Sequence, residues 1–74
     1  MTLNAKQAQH ENEELYNDAV ESEIRDVLAS DGPQYRGQVA AKIGKTSQET
    51  GKRLKAMYAR GDIEYKWTTG KFSL

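Results

Sequence analysis

Large apolar side chains recur along the first half of the chain with a helical period. After Leu15 they follow at spacings of four, four and three residues, at Tyr16, Val20, Ile24 and Val27. This spacing places them on one face of an amphipathic helix. Asp31-Gly32-Pro33 is expected to end that helix, because glycine permits the terminating turn and proline cannot continue the hydrogen-bond ladder.

Two further helices are predicted after the proline. Val39, Ala40 and Ile43 share one face of a short helix that Gly44 ends. Residues 46–60 begin with a capping box, in which Thr46 and Glu49 each accept from the other's backbone N–H, and Gly61 follows their last turn. The two faces of this third helix differ. Thr50, Leu54 and Met57 form an apolar face, and the opposite face carries Gln48, Lys52, Lys55 and Ala59 without an acidic side chain.

Beyond Gly61 the apolar period changes to two. Ile63, Tyr65 and Trp67 alternate with polar residues, Thr68-Thr69-Gly70 interrupts the run, and Phe72 resumes it. This pattern predicts a β-hairpin, with a short extended segment near Tyr35 available to pair with it. An isolated hairpin is marginal in water, so its aromatic residues are expected to close the core rather than to stack on nucleic-acid bases.

The order of these elements resembles the winged helix-turn-helix superfamily. The resemblance covers residues 18–74 and rests on Gln38-Val39-Ala40-Ala41-Lys42-Ile43-Gly44, on Thr46, Thr50, Leu54 and Met57, and on Arg60-Gly61-Asp62-Ile63. These look like a small-residue second helix, a threonine-capped recognition helix and a Gly-x-Ile exit into the wing. The resemblance implies an α+β fold, mostly α, with three helices, a C-terminal β-hairpin wing and a short strand near Tyr35.

Two residues depart from the superfamily's pattern. Lys45 occupies a turn position that is commonly aliphatic, and Gly51 lies inside the recognition helix at a cost of up to about 1 kcal/mol relative to alanine. Gly51 has two interpretations: it loosens the helix, or it lets another group approach the helix backbone closely.

Composition limits the remaining possibilities. Residues 1–14 are rich in Gln, Asn and Glu, which predicts a mobile polar segment ahead of a single domain at residues 15–74. The chain has no cysteine and one histidine, His10, so we expect no enzyme activity, metal site or cofactor. We find no membrane-length apolar run or signal-peptide pattern, and expect a cytoplasmic protein without membrane contact, compatible with a bacterial, phage or plasmid origin.

Charge is distributed unevenly although the formal net charge is zero. Residues 1–35 carry two basic and eight acidic side chains, a balance of −6, whereas residues 36–74 carry nine basic and three acidic ones, a balance of +6. This asymmetry indicates a basic working surface backed by an acidic one. Ordinary solvated lysines and a polar tail are the plainer interpretation.

The resemblance implies that the third helix enters the major groove of double-stranded DNA while the wing, residues 66–71, touches the adjacent backbone or minor groove. The candidate DNA-binding residues are Arg36, Ser47, Gln48, Gly51, Lys52, Arg53, Lys55, Lys66, Thr69 and Lys71. A small transcriptional regulator is the preferred interpretation, with a homodimer or a protein partner held by the acidic N-terminal segment and first helix. The alternative is a winged-helix protein–protein interaction module that does not bind DNA.

Overall fold

The computed structural model describes residues 5–74, with side chains described from Leu15 onward. Residues 5–74 form three helices and a two-stranded antiparallel sheet, as the sequence predicted, and are mostly helical. The elements are α1 (Ala5–Asp31), α2 (Arg36–Ile43), α3 (Ser47–Ala59), β1 (Glu64–Lys66) and β2 (Lys71–Ser73). Helix α1 begins ahead of Leu15, where the apolar period starts. Residues 1–4 lie outside the described part of the chain, and the predicted mobility of residues 1–14 stays a prediction.

The helix ends follow the predicted signals. Gly32, Gly44 and Gly61 have φ angles of 76°, 69° and 83°, a backbone conformation that glycine adopts at little steric cost. At the start of α3, the Thr46 hydroxyl accepts from the Glu49 N–H at 3.0 Å. The Glu49 carboxylate accepts instead from the Tyr16 hydroxyl of α1 at 3.5 Å. One half of the predicted capping box therefore forms, and Glu49 faces α1.

The core lies where the three helices meet the segment leading into β1. Its buried apolar side chains are Val20, Ile24, Leu28, Val39, Leu54, Met57 and Ile63. Thr50 is also buried on the inner face of α3, and its hydroxyl lacks a hydrogen-bond partner. The apolar face of α3 predicted from the sequence is therefore the face that packs on the core.

The hairpin is joined to the helices through a single backbone bridge. Gln34 and Phe72 exchange N–H to C=O hydrogen bonds of 2.9 and 2.8 Å. The predicted strand near Tyr35 is thus a one-residue bridge at Gln34, because α2 starts at Arg36 and leaves no room for a longer strand. Within the hairpin, Tyr65 pairs with Phe72, and their ring centroids are 4.7 Å apart.

Trp67 does not close the core, contrary to the expectation from the sequence. Its side chain is 82% exposed. The reason is local: β1 ends at Lys66, so Trp67 is the first residue of the turn and the alternation of the strand no longer sets its direction. Tyr65 does not close the core either, since it is 41% exposed; it packs against Phe72, which is partly buried against the core, and Ile63 is the buried residue of this segment.

A nearly buried carboxylate ties α1 to the end of α3. Glu21 is 3% exposed and accepts from Arg60 at 2.6 and 3.3 Å and from Arg53 at 3.3 Å. Asp62 accepts from the same Arg60 at 2.7 and 3.1 Å. The hydrogen bond from Arg60 holds the pKa of Glu21 below its ordinary value, against the opposing effect of burial. This cluster joins α1 to the last turns of α3 and to Asp62 on the segment that leads into the hairpin.

Candidate nucleic-acid interface

Helix α3 presents a basic outer face opposite the core. Thr50, Leu54 and Met57 turn inward, so the helical period directs the opposite residues to solvent. This outer face, as we use the term, consists of Gln48, Lys52, Lys55 and Ala59, all exposed. None of these four side chains forms a hydrogen bond or ion pair with the described side chains. The ammonium groups of Lys52 and Lys55 are therefore available to bind an anion from solution.

The predicted contact residues that flank the outer face of α3 are less available to a partner from solution. Arg53 was expected to contact DNA, but its guanidinium lies against Glu21 at 3.3 Å and is largely covered. It points there because Arg53 lies one helical position away from the buried face, within reach of α1. Ser47 is exposed at the first turn, close to Gly37 of α2. Of Arg53 and Ser47, only Ser47 has an exposed side chain.

Ion pairing divides the cations of residues 15–74 into two sets. Those within 4 Å of a described carboxylate hold the domain together, and they are Arg25, Lys42, Arg53 and Arg60. The described cations outside that set are Arg36, Lys45, Lys52, Lys55, Lys66 and Lys71. Most of the second set lies on α3, at the start of α2 or on the hairpin. Only some of the cations of residues 36–74 are therefore free of ion pairs with the described carboxylates and able to form a basic surface.

Gly51 lies directly beneath the side chain of Arg36. A β-carbon at Gly51 would stand 2.7 Å from Arg36 Cδ and 3.2 Å from its Nη1, closer than atoms can approach without moving. The glycine is therefore a close-approach position, the second of the two interpretations left open by the sequence. It lets the Arg36 side chain lie across the backbone of α3 beside the outer face.

A groove separates α3 from the hairpin. Its volume is about 620 Å³, and its lining consists of Tyr35, Arg36, Gly37, Gly51, Lys55, Tyr58, Tyr65, Gly70 and Phe72. We call it the aromatic groove. Four rings form most of its surface, two cations stand among them, and the lining includes no carboxylate. A partner that contacts both α3 and the hairpin must cross this groove.

The hairpin tip carries the remaining predicted contacts. Lys66 and Lys71 are paired across the two strands, and the Lys71 ammonium lies 5.2 Å from the centre of the Tyr35 ring. The Thr69 hydroxyl is occupied by the turn itself, since it donates to the Lys66 carbonyl and accepts from the Lys71 N–H, both at 3.3 Å. Of the two lysines, Lys66 is exposed and Lys71 is half-buried.

None of the aromatic side chains of this surface was among the predicted DNA-binding residues. Tyr35 and Tyr58 line the aromatic groove, and Trp67 lies exposed at the tip. A local signal existed for Trp67, because it directly precedes Thr68-Thr69-Gly70, a turn sequence that ends the strand. The positions of Tyr35 and Tyr58 depend on contacts between elements, which the helical and strand periods do not specify.

From Leu15 to Leu74 no group of three His, Cys, Asp or Glu side chains is arranged to hold a metal ion. Within residues 5–74 no helix combines the length and apolarity that a membrane crossing requires.

Comparison with known proteins found no protein-family model, curated protein or solved structure that matches this chain.

Proposed function

We propose that this chain is a winged helix-turn-helix protein that binds double-stranded DNA and acts as a small transcriptional regulator. In this proposal α3 is the recognition helix and lies in the major groove, and the hairpin is the wing. The major groove, about 12 Å wide, admits one α-helix.

The outer face of α3 is the observation that supports the proposal. Lys52 and Lys55 are exposed without a carboxylate partner among the described side chains, while Arg53 and Arg60 on the same segment are held by Glu21. Phosphate contacts require cations that are not already neutralised within the protein. Gln48, one turn before Lys52, offers an amide of the kind that pairs bidentately with adenine.

The surroundings of α3 extend the same surface. Arg36 lies across Gly51 on one side of the recognition helix, and Lys66 and Lys71 lie on the wing beyond the aromatic groove. The acidic side chains of α1, such as Glu23 and Asp26, line a separate depression with Lys42 and Ile43. A polyanion is therefore attracted to the cations of α3 and the hairpin and repelled by the acidic side chains of α1.

Fluorescence anisotropy with a library of labelled duplexes tests the proposal. We expect binding at low salt whose logarithm falls steeply with the logarithm of the salt concentration. Lys52→Gln should weaken binding about tenfold and reduce the salt slope by about 1, because one phosphate contact is lost.

Lys42→Gln is the matched control, since it removes the same charge from the depression lined by Glu23 and Asp26, where Lys42 pairs with Asp31 at 2.5 Å. It should leave affinity within about twofold, as expected for a charge outside the interface. Equal losses from both substitutions, or no binding by the wild-type protein, would contradict the proposal.

A protein-interaction module is the second candidate function. One observation favours it: Leu15 is 69% exposed on α1, three positions before the exposed Asp18 on the same helix. Such a mixed apolar and acidic surface suits a basic protein partner. Backbone chemical-shift titration with duplex DNA separates the two functions, because shifts at residues 47–55 and 66–71 support DNA binding and their absence supports the module.

A further inference from the structure

The largest apolar side chain of the wing is exposed to water at its tip. Trp67 is 82% exposed, although a buried tryptophan contributes about 150–250 Å² of contact area. A domain of 74 residues has few large side chains with which to build its core. An exposed Trp67 adds little buried apolar area to the core, which favours a role for this side chain in binding.

The turn that carries Trp67 is fixed by hydrogen bonds rather than loose. The Lys66 carbonyl accepts from the N–H groups of Thr69 and Gly70 at 3.1 and 2.7 Å, and from the Thr69 hydroxyl at 3.3 Å. Gly70 has a φ of 76° and packs against the Tyr35 ring. Because the turn backbone is held, binding through Trp67 orders its side chain but does not have to order the turn.

The charges around Trp67 select the chemistry of its partner. Lys66 precedes it and Lys71 pairs with Lys66 across the hairpin. The one carboxylate of the hairpin, Glu64, lies at the far end of β1 opposite Ser73. An exposed aromatic ring on a hairpin that also carries two ammonium groups matches a polyanion with flat apolar groups, which describes a nucleic acid.

We propose that Trp67 is a wedge that stacks on a base step in the minor groove of duplex DNA. This rests on the proposed DNA-binding function, since the tip borders the same aromatic groove as Gly51 and Lys55 of the recognition helix. Lys66 and Lys71 contact the phosphates on either side of the wedge. Insertion of an apolar side chain between base pairs bends the duplex away from it by about 20–90°.

The intrinsic emission of Trp67 tests the wedge directly, because the chain contains no other tryptophan. We expect saturation of the full chain with duplex DNA to quench this emission and to lower its acrylamide quenching constant about threefold or more, as stacking excludes the quencher. Energy transfer between the labelled ends of the duplex should report a bend on binding.

Substitutions supply the second readout. Trp67→Ala should weaken anisotropy-detected binding about tenfold and abolish the bend, and Trp67→Phe should retain most of both, since a smaller ring still stacks. All three proteins should melt within about 3 °C of one another, because exposed side chains contribute little to stability.

The outcomes separate the wedge from the function on which it rests. Binding without any change in Trp67 accessibility, or a Trp67→Ala protein that binds and bends DNA like wild type, overturns the wedge and leaves DNA binding intact. Stronger protection by a single-stranded oligonucleotide than by the duplex also overturns it. A wild-type protein that shows no anisotropy change with any duplex overturns both proposals.

Discussion

Replacing Gly51 with alanine is expected to change helix stability and the proposed DNA binding in opposite directions. The added methyl group favours the helix, because glycine in a helix interior costs about 1 kcal/mol relative to alanine. The same methyl would stand 2.7 Å from Arg36 Cδ, so the Arg36 side chain must leave its place across α3. One substitution therefore improves the helix and removes a cation from the proposed interface.

The structure sets the magnitude of each effect. Arg36 is exposed and has no carboxylate within 4 Å among the described residues, so moving it costs little, about 0.5–1 kcal/mol at most for a changed rotamer. We expect the free energy of unfolding of Gly51→Ala to rise by about 0–1 kcal/mol and its melting temperature by about 0–8 °C. We expect affinity for duplex DNA to fall about tenfold, with a salt slope reduced by about 0.9, because one phosphate contact is lost.

Circular dichroism melts and anisotropy titrations over a range of salt concentrations measure the two effects on the same samples. Gly37→Ala is the control for a methyl group added at the same groove without displacement of an arginine, since Gly37 also lines the groove but its added β-carbon would stand 3.9 Å from its nearest neighbour, Ser47 Oγ. It should leave binding nearly unchanged. In an Arg36→Ala background the binding effect of Gly51→Ala should vanish, because the two residues act through one contact. A binding loss that persists in that background, or no loss in Gly51→Ala alone, would refute the reasoning.

Two further predictions concern stability. Glu21→Gln should lower the free energy of unfolding at neutral pH by about 2 kcal/mol, because it removes a nearly buried carboxylate that pairs with three arginines. The loss is moderate because the three arginines are partly exposed and stay partly hydrated. The folded-state pKa of Glu21 is lowered, so its contribution is present above the ordinary value near 4.5 and is lost as pH falls through the folded-state value. Urea unfolding should therefore show the wild-type advantage shrinking on acidification below about pH 4.5, and an advantage that is constant with pH would contradict this assignment. Thr50→Val should raise the melting temperature by about 4–8 °C, since it replaces a buried hydroxyl that has no partner with a methyl group of the same shape; a lower melting temperature would indicate a hydrogen bond at Thr50.

Local patterns were sufficient to predict the elements. The period of Val20, Ile24 and Leu28, the threonine cap of α3 and the glycines that end each helix act within one or two turns of chain, so they are readable from neighbouring residues. The inner face of α3 follows from the same period. Its outer face was predicted with it, because a residue opposite a buried one on a helix must face away.

The tertiary structure decided which of the predicted functional residues remain available. Arg53 and Lys52 are adjacent in the sequence and equally basic, yet Arg53 is held by Glu21 of a distant helix whereas Lys52 is not. Gly51 looked equally like a helix flaw or a close-approach site until Arg36 was placed across it. Each of these outcomes depends on a contact between residues far apart in the chain.

The sequence by itself therefore determined the helices, the hairpin and the division of charge between the two halves of the chain. Trp67 could not be placed from the sequence alone. Alternation predicted that it shares one face with Ile63 and Tyr65, but β1 ends at Lys66 and Trp67 lies exposed in the turn. Periodicity describes the direction of a side chain only while the element continues. Where an element ends, and what approaches it from elsewhere in the chain, is decided by packing between elements, and the proposed interface depends on those contacts.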